Sequence, residues 1–310
     1  MQFFKSTDID FINNRYKFFF AAGLLLLMTI SSLIYRGAPN YGIDFTGGIL
    51  MQISFQKEAA LDDVRRAVEE SGIKSFELQK SDNLIIIRAK KKFEFQEEFE
   101  KLITSSISSK IPDNPMKVER IEYVGPSVGK YLYKQTVYAF VFAFLGMIVY
   151  VAFRFKSGLW GVASAIGILH DVFISFGFVV LVNKEINITA IAALLTVAGY
   201  SINDTIVLFD RIKENLRLAA KEDFATIINK SVNEVLVRTV VTSVTIFIVS
   251  CSLFFFGGEV IHTFAYIMVI GTILGVFSTI FICTPFVYEY KIRRNKRLKA
   301  AIAQNSIRPK

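Results

Sequence analysis

Asp204 is the residue in this sequence whose position is hardest to explain without a function. It lies in an apolar stretch at positions 188–209, which is long enough to span a bilayer. A charged side chain inside the hydrocarbon costs on the order of 3 kcal/mol or more, so a carboxylate there needs a partner, a hydrated cavity or a proton to exchange. This position favours a transport function. The alternative is that Asp204, near one end of the stretch, reaches the water beyond it.

Polar neighbours place Asp204 on one stripe of its predicted helix. Thr196, Tyr200, Asn203 and Asp204 are related by the spacings 196/200, 196/203 and 200/204, which are one or two helical turns. A polar stripe on a membrane helix must face protein or water, because lipid leaves hydrogen-bonding groups unsatisfied. We therefore expect Asn203 and Asp204 to point away from lipid.

Arg238 is the natural charged partner for Asp204 if it lies inside the membrane. Apolar Leu236 and Val237 precede it, and Thr242 follows one turn later. An arginine beside a carboxylate favours the ionised form, and its withdrawal favours protonation, so such a pair can switch with one proton. The alternative is that Arg238 is an ordinary basic residue flanking a membrane span.

His170 and Asp171 form a second polar pair, near the middle of the apolar stretch at 159–182. Two interpretations are open: a functional intramembrane site, or hydrogen bonding between helices. Asp171 and Asp204 together also raise the hypothesis of an intramembrane aspartyl protease. Neither acid lies in a Gly-x-Gly-Asp sequence, which argues against this chemistry. We predict no enzyme activity, no cofactor and no metal site.

Six apolar stretches predict a polytopic α-helical membrane protein with six transmembrane helices. They occupy positions 18–35, 137–153, 159–182, 188–209, 239–256 and 264–287. The first follows basic residues, but it is longer than a signal-peptide core, so we interpret it as a retained anchor. Small residues predict close helix packing in the later stretches, namely Gly161, Ala165, Gly167, Gly271 and Gly275.

The distribution of charge predicts the orientation in the membrane. The sequence has 36 Lys and Arg against 27 Asp and Glu, and the excess lies in the N-terminus (1–17), the amphipathic loop (210–237) and the tail (289–310). By the positive-inside rule these segments, and both termini, are cytoplasmic. The net charge of +9 is then explained by orientation and by anionic membrane lipids, and we predict no nucleic-acid partner.

Positions 36–136, between the first two spans, predict a small extracytoplasmic α+β domain. Apolar patterns indicate strands at 49–55, 75–80, 84–89 and 118–124 and helices at 61–71 and 93–109. This β-α-β-β-α-β order is that of a ferredoxin-like fold. The domain has no His or Cys, and its acidic residues are dispersed. We expect a contact surface there and no catalytic site.

Two glycine-rich segments flank this domain. The residues that define them are Gly42, Asp44, Gly47 and Gly48 on one side and Gly125 and Pro126 on the other. A phosphate-binding loop is disfavoured, because the lysine and the following helix of that motif are missing. We predict tight turns that join the domain to its membrane spans.

The sequence as a whole resembles the SecD/SecF family of bacterial protein-export proteins, within the resistance-nodulation-division superfamily. The resemblance covers nearly the whole chain. It rests on three motifs, GIDFTGG at 42–48, LHD at 169–171, and SINDTIV at 201–207 continuing into DRIKEN at 210–215. The large additional head domain of SecD is absent, so the resemblance implies the smaller half of a pair whose partner is SecD.

The resemblance also implies a function in the bacterial inner membrane. There the pair associates with the SecY–SecE–SecG channel and uses proton flow to draw out a translocating polypeptide that SecA has driven in. It implies that Asp204, Arg238 and Thr242 lie in the proton path, and Asn203 joins them as the neighbour of Asp204 on the polar stripe. Coupling to sodium ions stays open, as does an independent proton-coupled exporter of lipid or small molecules.

Overall fold

Long apolar helices make up most of the structure, a computed structural model that describes residues 8–73, 76–81, 84–89, 96–219 and 221–307. In chain order the elements are α1 (Arg15–Arg36), α2 (Ile43–Thr46), β1 (Gly48–Phe55), α3 (Leu61–Glu70), β2 (Phe76–Ser81), β3 (Leu84–Ala89), α4 (Gln96–Lys110), β4 (Met116–Val124), α5 (Pro126–Phe155), α6 (Gly158–Leu181), α7 (Ile188–Leu218), α8 (Phe224–Phe256), α9 (Glu259–Ser278), a π-helical turn (Thr279–Cys283) and α10 (Thr284–Ile307). Among the described residues, six segments are long and apolar enough to cross a membrane, namely α1, α5, α6, α7, α8 and the continuous segment from α9 to α10. Each covers one of the six predicted apolar stretches, except that α6 ends at Leu181, one residue before the predicted end of its stretch.

Much of the segment 210–237, which was predicted as an amphipathic loop, belongs to two of the long helices. α7 continues to Leu218, and α8 runs without a break from Phe224 to Phe256. No glycine or proline interrupts that second run, so nothing in the backbone separates an interfacial part from a spanning part. Asp223 caps α8 by accepting a hydrogen bond from the N–H of Ala225 at 3.1 Å.

A π-helical turn interrupts the last membrane segment just before Pro285. Proline in a helix interior lacks an N–H donor, and its ring clashes with the carbonyl one turn earlier. A wider turn relieves that clash, and the Thr284 hydroxyl donates to the carbonyl of Thr279 at 2.9 Å across it. The helix then continues into the segment 289–310, which was predicted as a basic tail.

An antiparallel sheet forms the core of a second compact unit, made of residues 40–139 and 185–188. We call it the sheet unit, and the remaining described residues the helical unit. The strand order is β2-β3-β1-β4. Ile49, Met51 and Ile53 of β1 alternate onto one buried face, where Val64 of α3 and Phe99 of α4 pack against them. A hairpin turn is expected at 81–83, between the second and third predicted strands, and its residues 82–83 lie outside the described residues. The first residue of that second strand, 75, and the start of the second predicted helix, 93–95, lie outside them too.

Glycines bring α7 and α9 close together in the helical unit. A Cβ atom added at Gly271 would collide with the side chain of Val197, and one at Gly275 would lie 3.5 Å from the Cα of Ser201. The predicted close packing at Gly271 and Gly275 is therefore present, and α7 is the partner. Membrane helices rely on such small residues because lipid supplies no hydrophobic drive for their association.

We expect Gly271→Ala to lower the thermal stability of the protein in detergent by several degrees. The added methyl must displace the stiff side chain of Val197, and overpacking of this kind costs about 1–3 kcal/mol. Gly199→Ala is the matched control, because no heavy atom of the described chain outside its own helix lies within 4 Å of a Cβ at that helical position. The measurement is the half-unfolding temperature of each purified variant. Equal temperatures for Gly271→Ala and the unaltered protein would contradict this packing.

Candidate functional site

Asp204 lies buried in α7, with only 4% of its surface exposed. Tyr200, one turn earlier, and Ser243 of α8 lie beside its carboxyl group, and their hydroxyl oxygens are 2.5 Å apart. Within the described part of the chain, Oδ2 of Asp204 has no hydrogen-bond partner. Buried polar atoms are nearly always paired, so this oxygen is an exception that calls for a functional explanation.

Arg238 attracts the Asp204 carboxylate from a distance, without direct contact. The guanidinium acts electrostatically on Asp204, but the two groups form no ion pair within 4.0 Å among the described residues. Arg238 is exposed on α8. The attraction therefore acts across a gap, and the carboxylate is not locked to its cation.

Thr242 and Asn203, the other two residues of the predicted relay, occupy different surroundings. The Thr242 hydroxyl donates to the backbone oxygens of Arg238 and Thr239, at 3.0 Å each, and its side chain also interacts with Tyr200. Asn203 is exposed. The structure thus brings Thr242 to the edge of the group around Asp204, while Asn203 lies at the surface of the helical unit.

Asp171 belongs to a separate buried network that joins three helices. Its Oδ1 lies 3.0 Å from Nδ1 of His170, and its Oδ2 accepts hydrogen bonds of 2.6 Å from Ser201 of α7 and from Ser278 of α9. The residue has 0% exposure, so it cannot meet a peptide substrate, which argues against an aspartyl protease. A further hydroxyl pair, Thr205 and Thr279, lies alongside at 2.8 Å.

Sequence reasoning missed Ser201 and Ser278 as partners of Asp171. Serine and threonine in membrane helices often bond to their own backbone, so their presence does not reveal which ones bridge helices. A partial signal was available in the position of Ser278, immediately before the π-helical turn that Pro285 imposes. In the described part of the chain no group of three or more His, Cys, Asp or Glu side chains could hold a metal ion.

The glycine-rich segments predicted as tight turns pack against each other within the sheet unit. Gly47 has φ +69°, and a Cβ there would lie 2.9 Å from the Cα of Pro126. Gly48 has φ +133°, a conformation that L side chains rarely adopt. Gly125 directly precedes α5, the helix that begins at Pro126. Glycine is therefore required at 47 for both space and backbone conformation.

Residues 40–44 also bind the loop at 185–188, a contact that the sequence did not reveal. The N–H of Ile186 donates to the carbonyl of Asn40 at 2.8 Å, and the N–H of Gly42 donates to the carbonyl of Ile186 at 2.9 Å. Tyr41 and Ile186 pair as a parallel β-bridge. The partners are more than 140 residues apart in sequence, so no local pattern could indicate the pairing. We call residues 40–44, residues 185–188 and Arg88 together the junction clamp.

Three charged groups stabilise the junction clamp. The Asp44 carboxylate accepts a hydrogen bond from the N–H of Ile188 at 2.9 Å, where α7 begins, which is the role of an N-capping side chain supplied from elsewhere in the chain. Arg88 of β3 forms an ion pair with Glu185. Burial raises the pKa of Glu185, and the charge of Arg88 opposes that shift. The clamp therefore connects the sheet to the first residue of the helix that carries Asp204.

Comparisons with known proteins agree with this arrangement of helices and motifs. Residues 104–293 match the family described as protein export membrane protein SecD/SecF, C-terminal, and residues 39–59 match the SecD/SecF GG motif. The protein translocase subunit SecF of Endomicrobium trichonymphae is 72% identical over 310 residues, which is 100% of both chains. The SecF subunit of Calditerrivibrio nitroreducens is 39% identical and covers 94% of this chain and 96% of its own.

Solved structures give the same result. The crystal structure of SecDF from Thermus thermophilus, a translocon-associated membrane protein, superposes with a TM-score of 0.83 at 33% identity over 92% of this chain. The match covers 39% of that SecDF chain. A SecDF structure in the super-membrane-facing form gives a TM-score of 0.71 at 31% identity. By motif, full-length identity and fold, the chain belongs to the SecF family of protein translocase subunits.

Proposed function

We propose that this protein acts with SecD to couple the proton motive force to late steps of protein export across the bacterial inner membrane. The observation that carries the proposal is Asp204, a buried carboxylate with one unpartnered oxygen and a cation held at a distance. The SecY–SecE–SecG channel, SecA and the translocating polypeptide are the further partners. No cofactor takes part, because the transported proton is the only reagent that the site needs.

Asp204 can exchange a proton because neighbouring groups stabilise both its ionised and its protonated form. The ionised form is attracted by Arg238, and the protonated form can donate to the hydroxyl oxygens of Tyr200 or Ser243. Thr242 interacts with the side chain of Tyr200, and its hydroxyl donates to the carbonyl of Arg238. Moving one charge through 100 mV is worth about 2.3 kcal/mol, enough to shift a two-state equilibrium roughly fiftyfold.

The sheet unit is, in this proposal, an extracytoplasmic domain with a ferredoxin-like fold. Its support is the element order β1-α3-β2-β3-α4-β4 together with the strand order β2-β3-β1-β4. Both termini are cytoplasmic in this proposal, because the excess of basic residues lies at 1–17, 210–237 and 289–310. The domain then provides the surface that meets the exported polypeptide.

The junction clamp holds the start of the helix that carries the proton site. α7 carries Asp204, and its first residue, Ile188, is held by Asp44. Arg88 and Glu185 attach the same loop to β3. The clamp therefore fixes the first residue of the helix that carries Asp204. Gly42 makes this close attachment sterically feasible, because a Cβ atom there would collide with the side chain of Glu185.

An independent exporter of lipid or small molecules is the alternative from the same superfamily. Full-length identity with protein translocase subunits favours export of polypeptides. A stable homo-oligomer that moves a small solute without SecD would instead support the alternative.

We expect Asp204→Asn to abolish the proton-dependent part of protein export while leaving SecD binding intact. Asparagine keeps the size and hydrogen bonding of the side chain and cannot titrate. The measurement is export of a preprotein into inverted vesicles with and without a proton gradient, and a parallel sodium gradient tests the other coupling ion. Asp62→Asn, an exposed carboxylate on α3, is the control for charge removal. Export that still responds to the gradient in Asp204→Asn would refute the assignment.

We expect Asp44→Ala to weaken proton-dependent export severalfold, and Asp44→Asn to retain most of it. The amide oxygen of asparagine still accepts from the N–H of Ile188, whereas loss of an N-cap costs about 1 kcal/mol. Hydrogen exchange of the first turn of α7 should accelerate about fivefold in Asp44→Ala only. Asp62→Ala is the matched control on the same unit. If exchange is unchanged in Asp44→Ala, the capping role is wrong, whatever the coupling ion is.

We further propose that Asp171, with His170, acts as a connector that holds α6, α7 and α9 in register. Asp171→Ala leaves the hydroxyls of Ser201 and Ser278 without their acceptor, at a cost of about 1–3 kcal/mol. The expected result is a half-unfolding temperature several degrees lower. Ser252→Ala should leave it unchanged, because Ser252 is exposed and bonds only to the carbonyl of Ile248 in its own helix. Unchanged stability in Asp171→Ala would contradict the connector role.

A further inference from the structure

A cavity of about 330 Å³ opens in the helical unit where the ends of α6, α7 and α8 meet α10. Its volume lies at the lower end of the range of small-ligand sites. One part of its lining is apolar and aromatic, and another part is basic. The lining residues are Leu159, Trp160, Lys213, Leu216, Arg217, Phe224, Val287, Tyr290, Lys291 and Arg294. The proton site proposed above shares none of them.

The basic part of this cavity consists of four cations without an acidic partner. They are Lys213 and Arg217 of α7 and Lys291 and Arg294 of α10. None of the four forms an ion pair within the described part of the chain. Neighbouring arginines behave differently: Arg211 is paired with Glu214 and Glu234, and Arg293 with Glu289. The four cations that line the cavity are therefore left without a carboxylate in the described structure, whereas these two neighbouring arginines are not.

The spacing of these cations makes their charge unfavourable unless an anion binds. Lys213 and Arg217 are four residues apart, and Lys291 and Arg294 three apart, so each pair shares one helical face, where like charges destabilise a helix. The acidic residues of α7 that lie three residues before these two cations, Asp210 and Glu214, are already held by Arg154 and Arg211, at 2.7 Å each. An anion between the two helices would neutralise both pairs together.

Two of the four cations are already held in position. The Lys213 amine donates to the carbonyl of Phe155 at 2.9 Å, and the Lys291 amine lies 3.9 Å from the ring centre of Phe224. Neither contact neutralises the charge. Side chains that are fixed beforehand lose little conformational entropy when a ligand arrives, so the cavity is prepared for an anion.

The apolar lining indicates what kind of anion fits. Leu159, Leu216 and Val287 offer hydrocarbon contacts next to the cations, and Trp160 and Tyr290 are residue types enriched at the membrane interface. A free phosphate would leave this apolar part unused. We propose that the cavity binds an anionic phospholipid, with its phosphate at Arg217 and Arg294 and the start of an acyl chain on the apolar side.

The test is native mass spectrometry of the full chain in detergent, titrated with phosphatidylglycerol and, separately, with phosphatidylcholine. The double variant Arg217→Gln/Arg294→Gln should bind phosphatidylglycerol at least tenfold more weakly, because each basic residue near a membrane surface contributes about fivefold. Lys296→Gln/Arg297→Gln removes the same charge from α10 outside the cavity and should change binding less than twofold. Circular dichroism establishes that both variants are folded.

Three outcomes would overturn the proposal. Equal losses in the two double variants would show general charge attraction with no site. Equal affinity for the zwitterionic lipid would show that the cations do not select the ligand. Binding of inorganic phosphate alone that is lost only in Arg217→Gln/Arg294→Gln, with no preference for lipid, would identify a soluble phosphate as the ligand. All of these readouts are independent of proton coupling.

Discussion

A carboxylate buried among apolar helices is stable only when neighbouring groups take the place of water, and the two acids of the helical unit meet this constraint in opposite ways. Asp171 has partners on both oxygens, His170 on one and Ser201 and Ser278 on the other, so both oxygens of the carboxyl group are engaged. Among the described residues, Asp204 has one oxygen without a partner and a cation that does not touch it. The first arrangement fixes three helices, and the second leaves a side chain free to change state. The proposed function depends on this difference between the surroundings of Asp171 and Asp204.

α7 is the helix that carries both the titratable acid and an end held within the sheet unit. Ser201 on this helix is held by Asp171, and Asp204 lies one turn further on. The first residue of α7, Ile188, belongs to the sheet unit, where Asp44 caps the helix. A long helix transmits displacement along its axis because its hydrogen bonds close every turn. One helix thus combines a fixed point, a titratable group and an attachment to the sheet.

Much of this architecture could be predicted from sequence, because its causes are local. The six spans follow from apolar length, and the strands follow from alternating residues such as Ile49, Met51 and Ile53. The continuity of α8 was missed because charged and apolar parts share one unbroken helix. The hydroxyl partners of Asp171 and the contact of Asp44 with Ile188 were missed for another reason. They join distant parts of the chain, and residue types alone do not say which polar groups meet.

Infrared difference spectroscopy tests the central claim that Asp204 takes up and releases a proton. The protein, reconstituted with SecD in lipid, would be compared across a pH range with Asp204→Asn under the same conditions. The account predicts a carboxylic acid C=O band that changes with pH in the unaltered protein and is missing in Asp204→Asn. Proton exchange by Asp204 would be contradicted if the band persisted unchanged in Asp204→Asn. It would also be contradicted if the unaltered protein showed no carboxylic acid band that changes with pH.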